Sequence, residues 1–243
     1  MEFIERNYRD FTATERFVPF QVQWKETDLY IKARTNLAEK AREAVIRFRT
    51  QIEVYIRQTP VFKTSLEPLD PDPMAPPIIQ DMLHSARTAG VGPMAAVAGA
   101  IAEYLGRDLL PFSREVVVEN GGDIFLTVEE PLVVGLFAGH SPYTNRIALR
   151  IHPEDTPCGL CTSSGTVGPS LSLGRADAAT VWARSACLAD AAATAIGNLV
   201  KGPGDVEYAL ERAKQIPGIK GVIIAIKERI GFWGPVELVR LED

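Results

Sequence analysis

The stretch Ser185–Asn198 reads SACLADAAATAIGN, a run of small residues interrupted by one carboxylate, Asp190, and one hydroxyl, Thr194. On an α-helix this four-residue spacing puts both oxygens on the same face, about one turn apart. Helices that only need to pack usually present larger apolar side chains. The stretch therefore predicts a helix that something approaches closely: a metal ion, a nucleotide or another backbone.

The composition is ordinary for a soluble globular protein. The chain has 243 residues, of which 46% are hydrophobic and 23% charged, so we expect one domain over residues 1–243, with two small domains as the alternative. The net charge of −5 argues against a broad nucleic-acid surface, and the longest apolar runs are too short for a membrane span. The charged N-terminus MEFIERNYRD does not resemble a signal peptide, which predicts a cytoplasmic protein.

The hydrophobic pattern predicts an α+β fold with a mixed, mainly antiparallel β-sheet flanked by helices. A hairpin is expected within Phe20–Ala33, and Asn36 is expected to cap a long helix. The links Asn120–Asp123 and Glu130-Pro131 are short, which predicts antiparallel pairing of the strands that they join. The predicted helices are Leu37–Gln58, Ile78–Ala89, Met94–Leu105, Ser185–Asn198 and Val206–Gln215, and the predicted strands are Glu115–Glu119, Ile124–Glu129, Leu132–Ala138, Arg146–Ile151, Ala178–Ala183, Lys220–Lys227 and Val236–Leu241.

Two segments are predicted to lack regular structure. The six prolines of Thr59–Pro77 predict an extended connector, either a loop on the surface or a domain boundary. The glycine- and hydroxyl-rich stretch Pro157–Gly174 predicts a loop.

Three glycine-rich motifs are candidate nucleotide contacts. Gly92 and Pro93 precede an Ala-rich helix, whose N-terminus would suit a phosphate; tight helix packing is the alternative. Gly121-Gly122, followed by Asp123, is either a hairpin turn or bare backbone against which a ring or phosphate can lie. The third motif, within Thr162–Gly168, offers donors to a ligand through Thr162, Ser163, Ser164 and Gly165, and it lacks the Lys of a P-loop.

Asp190 and Thr194 offer oxygen ligands, which suit Mg²⁺ completed by carbonyls, water and phosphates. The alternative is an aspartate whose hydrogen bonds are satisfied at a helix-packing interface.

Cys158 and Cys161 have the spacing of a redox dithiol, or of half a zinc site with His152 and Cys187 as further ligands. An incidental pair is the simpler interpretation. His140 lies on a loop after a strand and is a further candidate ligand contact.

Several segments in order resemble the ApbE-related proteins, in particular an uncharacterised branch of that superfamily. The resemblance covers nearly the whole chain and rests on Arg6–Arg9, Lys25–Leu29 and the segments VGPMAAVAGAIAE, ENGGDI, FAGHSP, TSSGTVG, SLGRADA and LADAAATAIGN. It implies a single ApbE-like domain.

The known activity of these relatives implies a function for the chain. ApbE members are Mg²⁺-dependent flavin transferases that bind FAD and transfer FMN to a threonine of a target protein, and some hydrolyse FAD. Their Ala-Asp-x-x-x-Thr motif, which ligates Mg²⁺, matches Ala189, Asp190 and Thr194. The flavin-contacting Gly-Gly turn resembles Gly121-Gly122, and the Thr-Ser-Gly segment resembles Thr162–Gly165 with one residue inserted.

The chain departs from the family near the reacting groups. The family's His-x-x-Asp-Pro-x-Thr-Gly segment is replaced by Ser170–Asp177, which has neither the histidine nor Asp-Pro. Val97 or Ala98 stands where the family has a lysine. The resemblance thus implies FAD or FMN binding with Mg²⁺, and transfer or pyrophosphate hydrolysis in which Arg175 and Asp177 substitute for the histidine segment. The alternative is a ligand-binding protein that kept the fold without the chemistry. The family's old link to thiamine biosynthesis has no counterpart in these residues.

Overall fold

The strands form two antiparallel sheets. The computed structural model describes residues 16–139, 141–166 and 172–241. The sequence segments Arg6–Arg9, His140 and 167–171 lie outside the described residues. The described strands are β1 (Val18–Trp24), β2 (Thr27–Ala33), β3 (Val116–Asn120), β4 (Asp123–Thr127), β5 (Leu132–Gly135), β6 (Ile147–Ile151), β7 (Cys158–Ser163), β8 (Ala178–Ala183), β9 (Ile219–Ile226), β10 (Arg229–Trp233) and β11 (Glu237–Arg240).

An eight-stranded sheet has the order β1-β2-β3-β4-β7-β8-β9-β10, and a three-stranded sheet has the order β11-β6-β5. All pairings among the described strands are antiparallel. The helices are α1 (Ala38–Gln58), α2 (Val61–Thr64), α3 (Pro77–Ala89), α4 (Val97–Leu109), α5 (Ala186–Leu199) and α6 (Val206–Ala213). The predicted α+β fold is therefore confirmed. Among the described residues, no helix combines the length and apolar character needed to span a bilayer.

Three layers result from this arrangement. Helix α4 packs on β3 and β4, and α5 packs on β7 and β8, with α1 and α3 behind them. On the opposite face of the large sheet, Leu132 and Leu149 of the small sheet share a core with Leu160 and Trp182. The large sheet is thus covered on both sides, which explains why β8 is buried at every position.

Strand β7 shows how the two faces are specified. Alternate side chains of a strand point to opposite faces. Cys158 and Leu160 lie in the core between the sheets, whereas Cys161 lies in the core beneath the helices. On the helix face, a Cβ added to Gly159 would lie 2.2 Å from the Cα of Ala186, so α5 rests directly on the backbone of β7.

The prediction of a loop over Pro157–Gly174 is wrong for its first part, because β7 occupies Cys158–Ser163 at the centre of the large sheet. Glycine and small polar residues have weak intrinsic strand preference, but the close approach of α5 requires them here. Tertiary packing therefore overrides the local signal.

The predicted pairing across Glu130-Pro131 is also wrong. Strand β4 pairs with β3 and β7, whereas β5 pairs with β6 in the small sheet. Both hydrogen-bonding edges of β4 are already occupied, so the chain crosses at Pro131 into the second layer. Sequence analysis also missed β10, which pairs with β9 after a short turn.

The proline-rich segment contains one helical turn. Helix α2 follows Pro60, and Phe62 is fully buried in the core beneath the helices. Its ring contacts Tyr55 of α1 edge-on, with 5.0 Å between ring centroids. The proline-rich segment therefore packs against α1 through Phe62, and it is not extended over its whole length. Upstream, Asn36 Oδ1 accepts a hydrogen bond from the Ala38 amide at 3.0 Å, although the helix cap position itself is Leu37.

Candidate functional site

Two carboxylates, the buried Glu103 and the partly buried Asp190, join α4 and α5 at their N-termini. Asp190 Oδ2 on α5 accepts a hydrogen bond from the Gly99 amide in the first turn of α4, at 2.9 Å. Glu103 Oε2 on α4 accepts hydrogen bonds from the Ser185 hydroxyl at 2.8 Å and the Cys187 amide at 3.1 Å. First-turn amides lack partners within their own helix and favour negative charge. Each helix therefore caps the other.

The small residues of α5 permit this close packing. A Cβ added to Gly99 would lie 2.2 Å from the carbonyl oxygen of Ala186 and 2.8 Å from Cβ of Asp190. Gly159 of β7 approaches Ala186 from the other side. The sequence predicted that a metal ion, a nucleotide or another backbone approaches this helix. At Ala186 the neighbour is backbone, that of Gly99 and Gly159.

Asp123 and Asp190 form a pair of carboxylates on the helix face of the sheet. Burial, and next the charge of Asp190, raise the pKa of Asp123 well above its usual value. Burial also raises the pKa of Asp190 to about 7, although hydrogen bonds from the Gly99 and Ala98 amides act in the opposite direction. Asp123 Oδ1 is buried and has no hydrogen-bond partner among the described residues. The pair thus leaves an uncompensated acceptor in the interior.

The Gly121-Gly122 turn is attached to the N-terminal end of α4. Its backbone φ angles are +68° and +112°, in the region that favours glycine in a two-residue hairpin. Asn120 Nδ2 donates to the Ala98 carbonyl at 3.1 Å, and the Gly122 amide donates to Glu119 Oε1 at 3.1 Å. These contacts bring the turn, Asp123 and Asp190 to one corner of the molecule. Gly121 itself is exposed, and a Cβ there would meet nothing within 4 Å.

The hydroxyl side chains of the predicted loop Thr162–Gly168 do not all lie on one face of the large sheet. The hydroxyls of Thr162 and Thr180 lie 2.9 Å apart. Ser163, which points to the opposite face, packs towards α5, with its Oγ 3.3 Å from the Cβ position of Gly197. Ser164 Oγ accepts a hydrogen bond from the Thr166 amide at 3.2 Å. Only part of this motif therefore faces the helices.

Gly92 and Gly165 are each packed against backbone. A Cβ on Gly92 would lie 1.9 Å from the Ser65 carbonyl oxygen, so the proline-rich segment covers this glycine. The Gly165 amide donates to the Ala176 carbonyl at 2.8 Å, and its Cβ position lies 2.4 Å from the Gly174 carbonyl oxygen. Both glycines have a packing role, and the structure does not bring Gly92 to the Asp123–Asp190 corner.

The oxygen atoms at this corner fit Mg²⁺ better than a soft metal. Thr194 is half-buried one turn after Asp190, and its hydroxyl makes no hydrogen bond within the described ranges. Over those residues, no group of three or more His, Cys, Asp or Glu side chains could hold a metal. Mg²⁺ usually takes one or two carboxylates and fills its other positions with water and phosphate. The partnerless Asp123 Oδ1 is an atom that such a cation would satisfy.

The cysteine hypothesis is wrong. Cys158 and Cys161 lie on opposite faces of β7, so their thiols cannot form a disulfide or share a metal. Burial raises the pKa of Cys158 to about 12 and that of Cys161 well above its usual value. The suggested zinc ligand His152 instead contacts Glu237, with 2.8 Å between Nε2 and Oε2. Burial and a raised pKa are typical of structural cysteines rather than reactive ones.

Glu103 was missed by sequence analysis. It is 2% exposed, and its second oxygen accepts a hydrogen bond from Arg107 at 2.5 Å. A signal was present, because Glu103 interrupts the apolar run MAAVAGAIAEYL. A carboxylate within such a run needs a buried partner.

The family model described as "AbpE bacteria" matches residues 9–230. The chain belongs to this AbpE family. The resemblance to ApbE-related proteins is thereby confirmed over most of the sequence.

Relatives of this chain include archaeal proteins described as UPF0280 proteins. The UPF0280 protein of Methanocaldococcus jannaschii is 41% identical over 225 residues, covering 90% of this chain and 91% of that protein. The UPF0280 protein of Methanosarcina barkeri is 43% identical over 225 residues, covering 91% and 88%. The similarity to UPF0280 proteins confirms the predicted resemblance to an uncharacterised branch of the superfamily.

Solved structures show the same fold at low sequence identity. The Pseudomonas stutzeri flavinyl transferase ApbE, in its apo form, aligns with a TM-score of 0.54 at 13% identity, covering 89% of this chain and 93% of that one. The ApbE protein of Thermotoga maritima aligns with a TM-score of 0.55 at 11% identity, covering 89% and 96%. At these identities the comparison establishes the AbpE chain's fold alone.

In this chain, the region that replaces the family's histidine segment makes structural hydrogen bonds. Asp177 Oδ1 accepts a hydrogen bond from the Thr166 hydroxyl at 3.0 Å, and its Oδ2 accepts one from the Lys227 amide at 2.6 Å. The Asp177 carboxylate is therefore committed to holding two loops together. Ala98, which with Val97 is one of two candidates for the place of the family's lysine, accepts a hydrogen bond from Asn120 through its carbonyl.

Proposed function

We propose that this chain binds a flavin nucleotide, FAD or FMN, together with Mg²⁺ at the corner formed by Asp123, Asp190, Thr194 and the Gly121-Gly122 turn. The observation that carries the proposal is the buried Asp123 oxygen without a partner beside Asp190. Two adjacent carboxylates without a nearby cation are unfavourable in the interior, and a divalent cation would offset their charge. Thr194 adds a free hydroxyl one turn along α5.

Each residue has a distinct role in this proposal. Asp123 and Asp190 would hold the cation, and Gly99 fixes the Asp190 side chain through its amide. The exposed, side-chain-free Gly121 leaves room for a ring or phosphate to lie on the turn. When bound, Mg²⁺ neutralises phosphate charge. The residues of the corner thus serve a phosphate-bearing ligand whether or not a reaction follows.

Two outcomes follow binding, and they belong to different functional classes. An enzyme would transfer the FMN group to a protein hydroxyl or hydrolyse the FAD pyrophosphate, releasing AMP in either case. A binding protein would return the nucleotide unchanged. The replacement of the family's histidine segment by Ser170–Asp177, with Asp177 engaged in structural hydrogen bonds, favours the second class.

Binding is tested by titrating FAD and FMN, with Mg²⁺ or with EDTA, against wild type and Asp190→Asn. Asparagine keeps the acceptor for the Gly99 amide while removing the charge. The matched control is Asp70→Asn, whose side chain is 96% exposed. We expect Mg²⁺-dependent binding that weakens roughly tenfold or more in Asp190→Asn alone. Equal binding by wild type and Asp190→Asn would refute the proposal.

Chromatography of the incubated FAD then separates the two classes. Release of AMP, abolished in Asp190→Asn and retained in Asp70→Asn, indicates an enzyme. Quantitative recovery of FAD from a complex that forms normally shows that the chain does not hydrolyse FAD, and it is the result expected of a binding protein.

A further inference from the structure

A separate cleft of about 360 Å³ lies beyond the C-terminal end of α5. Lys201 follows that helix by two residues, and the Arg175 amide donates to the Val200 carbonyl at 2.7 Å. Lys227 reaches the cleft from the turn between β9 and β10. This cleft does not include Asp123, Asp190 or the Gly121-Gly122 turn among its lining residues.

The lining carries an excess of positive charge. Three cations, Arg175, Lys201 and Lys227, stand against one carboxylate, Asp177. Within the described residues, Arg175 and Lys227 form no salt bridge, and Lys201 Nζ donates to the uncharged carbonyl of Leu173. In a chain with a net charge of −5, these three exposed cations and one carboxylate give the cleft a local excess of two positive charges.

The wall of the cleft is held in place by hydrogen bonds. Asp177 accepts hydrogen bonds from the Thr166 hydroxyl and the Lys227 amide, and among the described residues it forms no ion pair with the three cations. The Ser141 hydroxyl donates to the Lys227 carbonyl at 2.8 Å. Lys227 has a φ of +52°, which is unfavourable for a residue with a side chain. Its backbone is therefore fixed by Asp177 and Ser141 in a conformation that places its side chain at the cleft.

We propose that this cleft binds a phosphate group of a small molecule. A phosphate monoester carries a charge of about −1.5 to −2 at neutral pH, which matches the uncompensated charge of the lining. The guanidinium of Arg175 suits two phosphate oxygens at once, and a lysine ammonium suits phosphate as a point charge. The volume admits a phosphate with a small organic body. This inference does not depend on the proposed flavin site.

The test uses inorganic phosphate and pyrophosphate in EDTA, so that Mg²⁺ cannot recruit them to the Asp123–Asp190 corner. Binding is measured by calorimetry on wild type, Arg175→Gln, Lys227→Gln and the double variant. The matched control is Lys63→Gln, which removes the same charge from an exposed position on α2. Succinate serves as the carboxylate probe. Thermal unfolding of each variant checks that the fold is retained.

We expect phosphate binding to weaken roughly tenfold or more in the double variant, with the single variants between and Lys63→Gln unchanged. Asp190→Asn should bind phosphate in EDTA as wild type does, which separates this result from failure of the flavin proposal. Binding that survives in the double variant, falls equally in Lys63→Gln or is absent from wild type overturns the proposal. Equal binding of succinate overturns the assignment to phosphate.

Discussion

Asp190 of α5 accepts a hydrogen bond from the Gly99 amide of α4 at 2.9 Å. The relationship is reciprocal, since Glu103 of α4 binds the Cys187 amide at the start of α5. One carboxylate on each helix thus satisfies an N-terminal amide of its neighbour. This arrangement fixes the register of the two helices, and with it the position of Asp190 beside Asp123.

Gly99→Ala is expected to destabilise the protein strongly. The added Cβ would lie 2.2 Å from the backbone oxygen of Ala186, which cannot move without shifting α5. Overpacking of this kind costs about 1–3 kcal/mol, and displacement of a helix adds to that cost. Urea unfolding measures the difference. In the control, Gly204→Ala, the new Cβ meets nothing within 4 Å, so a loss comparable to that of Gly99→Ala would contradict the explanation.

Glu103→Gln is expected to lower the free energy of unfolding by about 1–3 kcal/mol, because the buried charge that caps α5 and pairs with Arg107 is lost. Denaturant unfolding measures this change. The matched substitution Glu211→Gln removes a carboxylate that is 66% exposed and should change stability by less than about 0.5 kcal/mol. Similar effects of both substitutions would show that the capping charge is not responsible.

The Asp123–Asp190 pair predicts a particular pH dependence in Mg²⁺-free buffer. Both carboxyls have raised pKa values in the folded state, that of Asp190 being about 7. The folded protein therefore binds more protons than the unfolded chain above the ordinary value of 3.8, and stability falls as pH rises from about 4 to 7. Allowing for partial exposure of Asp190, we expect a loss on the order of 2 kcal/mol.

Urea unfolding at several pH values tests this prediction on wild type and on Asp123→Asn/Asp190→Asn. The wild type should lose stability relative to the double variant as pH rises, because asparagine does not titrate. Parallel curves for the two proteins would show that the pair does not titrate as described.

The three cysteine thiols are expected to resist modification in the folded protein. All three are buried, and burial raises the pKa of Cys158 to about 12 and those of Cys161 and Cys187 well above their usual values. Reagents that attack the thiolate should therefore react slowly with native protein, and with three thiols after denaturation in guanidinium. Rapid loss of two native thiols under mild oxidation would contradict the placement of Cys158 and Cys161 on opposite faces.

The candidate site was partly predictable from the sequence. The spacing of Asp190 and Thr194 and the consecutive glycines at 121 and 122 are local signals, and they led to the helix and the turn that the structure contains. The neighbours of these residues were not predictable. Asp123 meets Asp190 only because β4 lies next to β7 and α5 rests on β7, which are contacts between segments distant in sequence.

Local periodicity in the sequence determined the long helices, the first hairpin and the antiparallel character of the sheet, because these features depend on neighbouring residues. Tertiary structure decided the rest. It placed the glycine-containing β7 at the centre of the large sheet and sent β5 into the second sheet. It also brought Arg175, Lys201 and Lys227 to one cleft. The physical reason is that small residues and lone charges carry little local preference, so their roles are set by what packs against them.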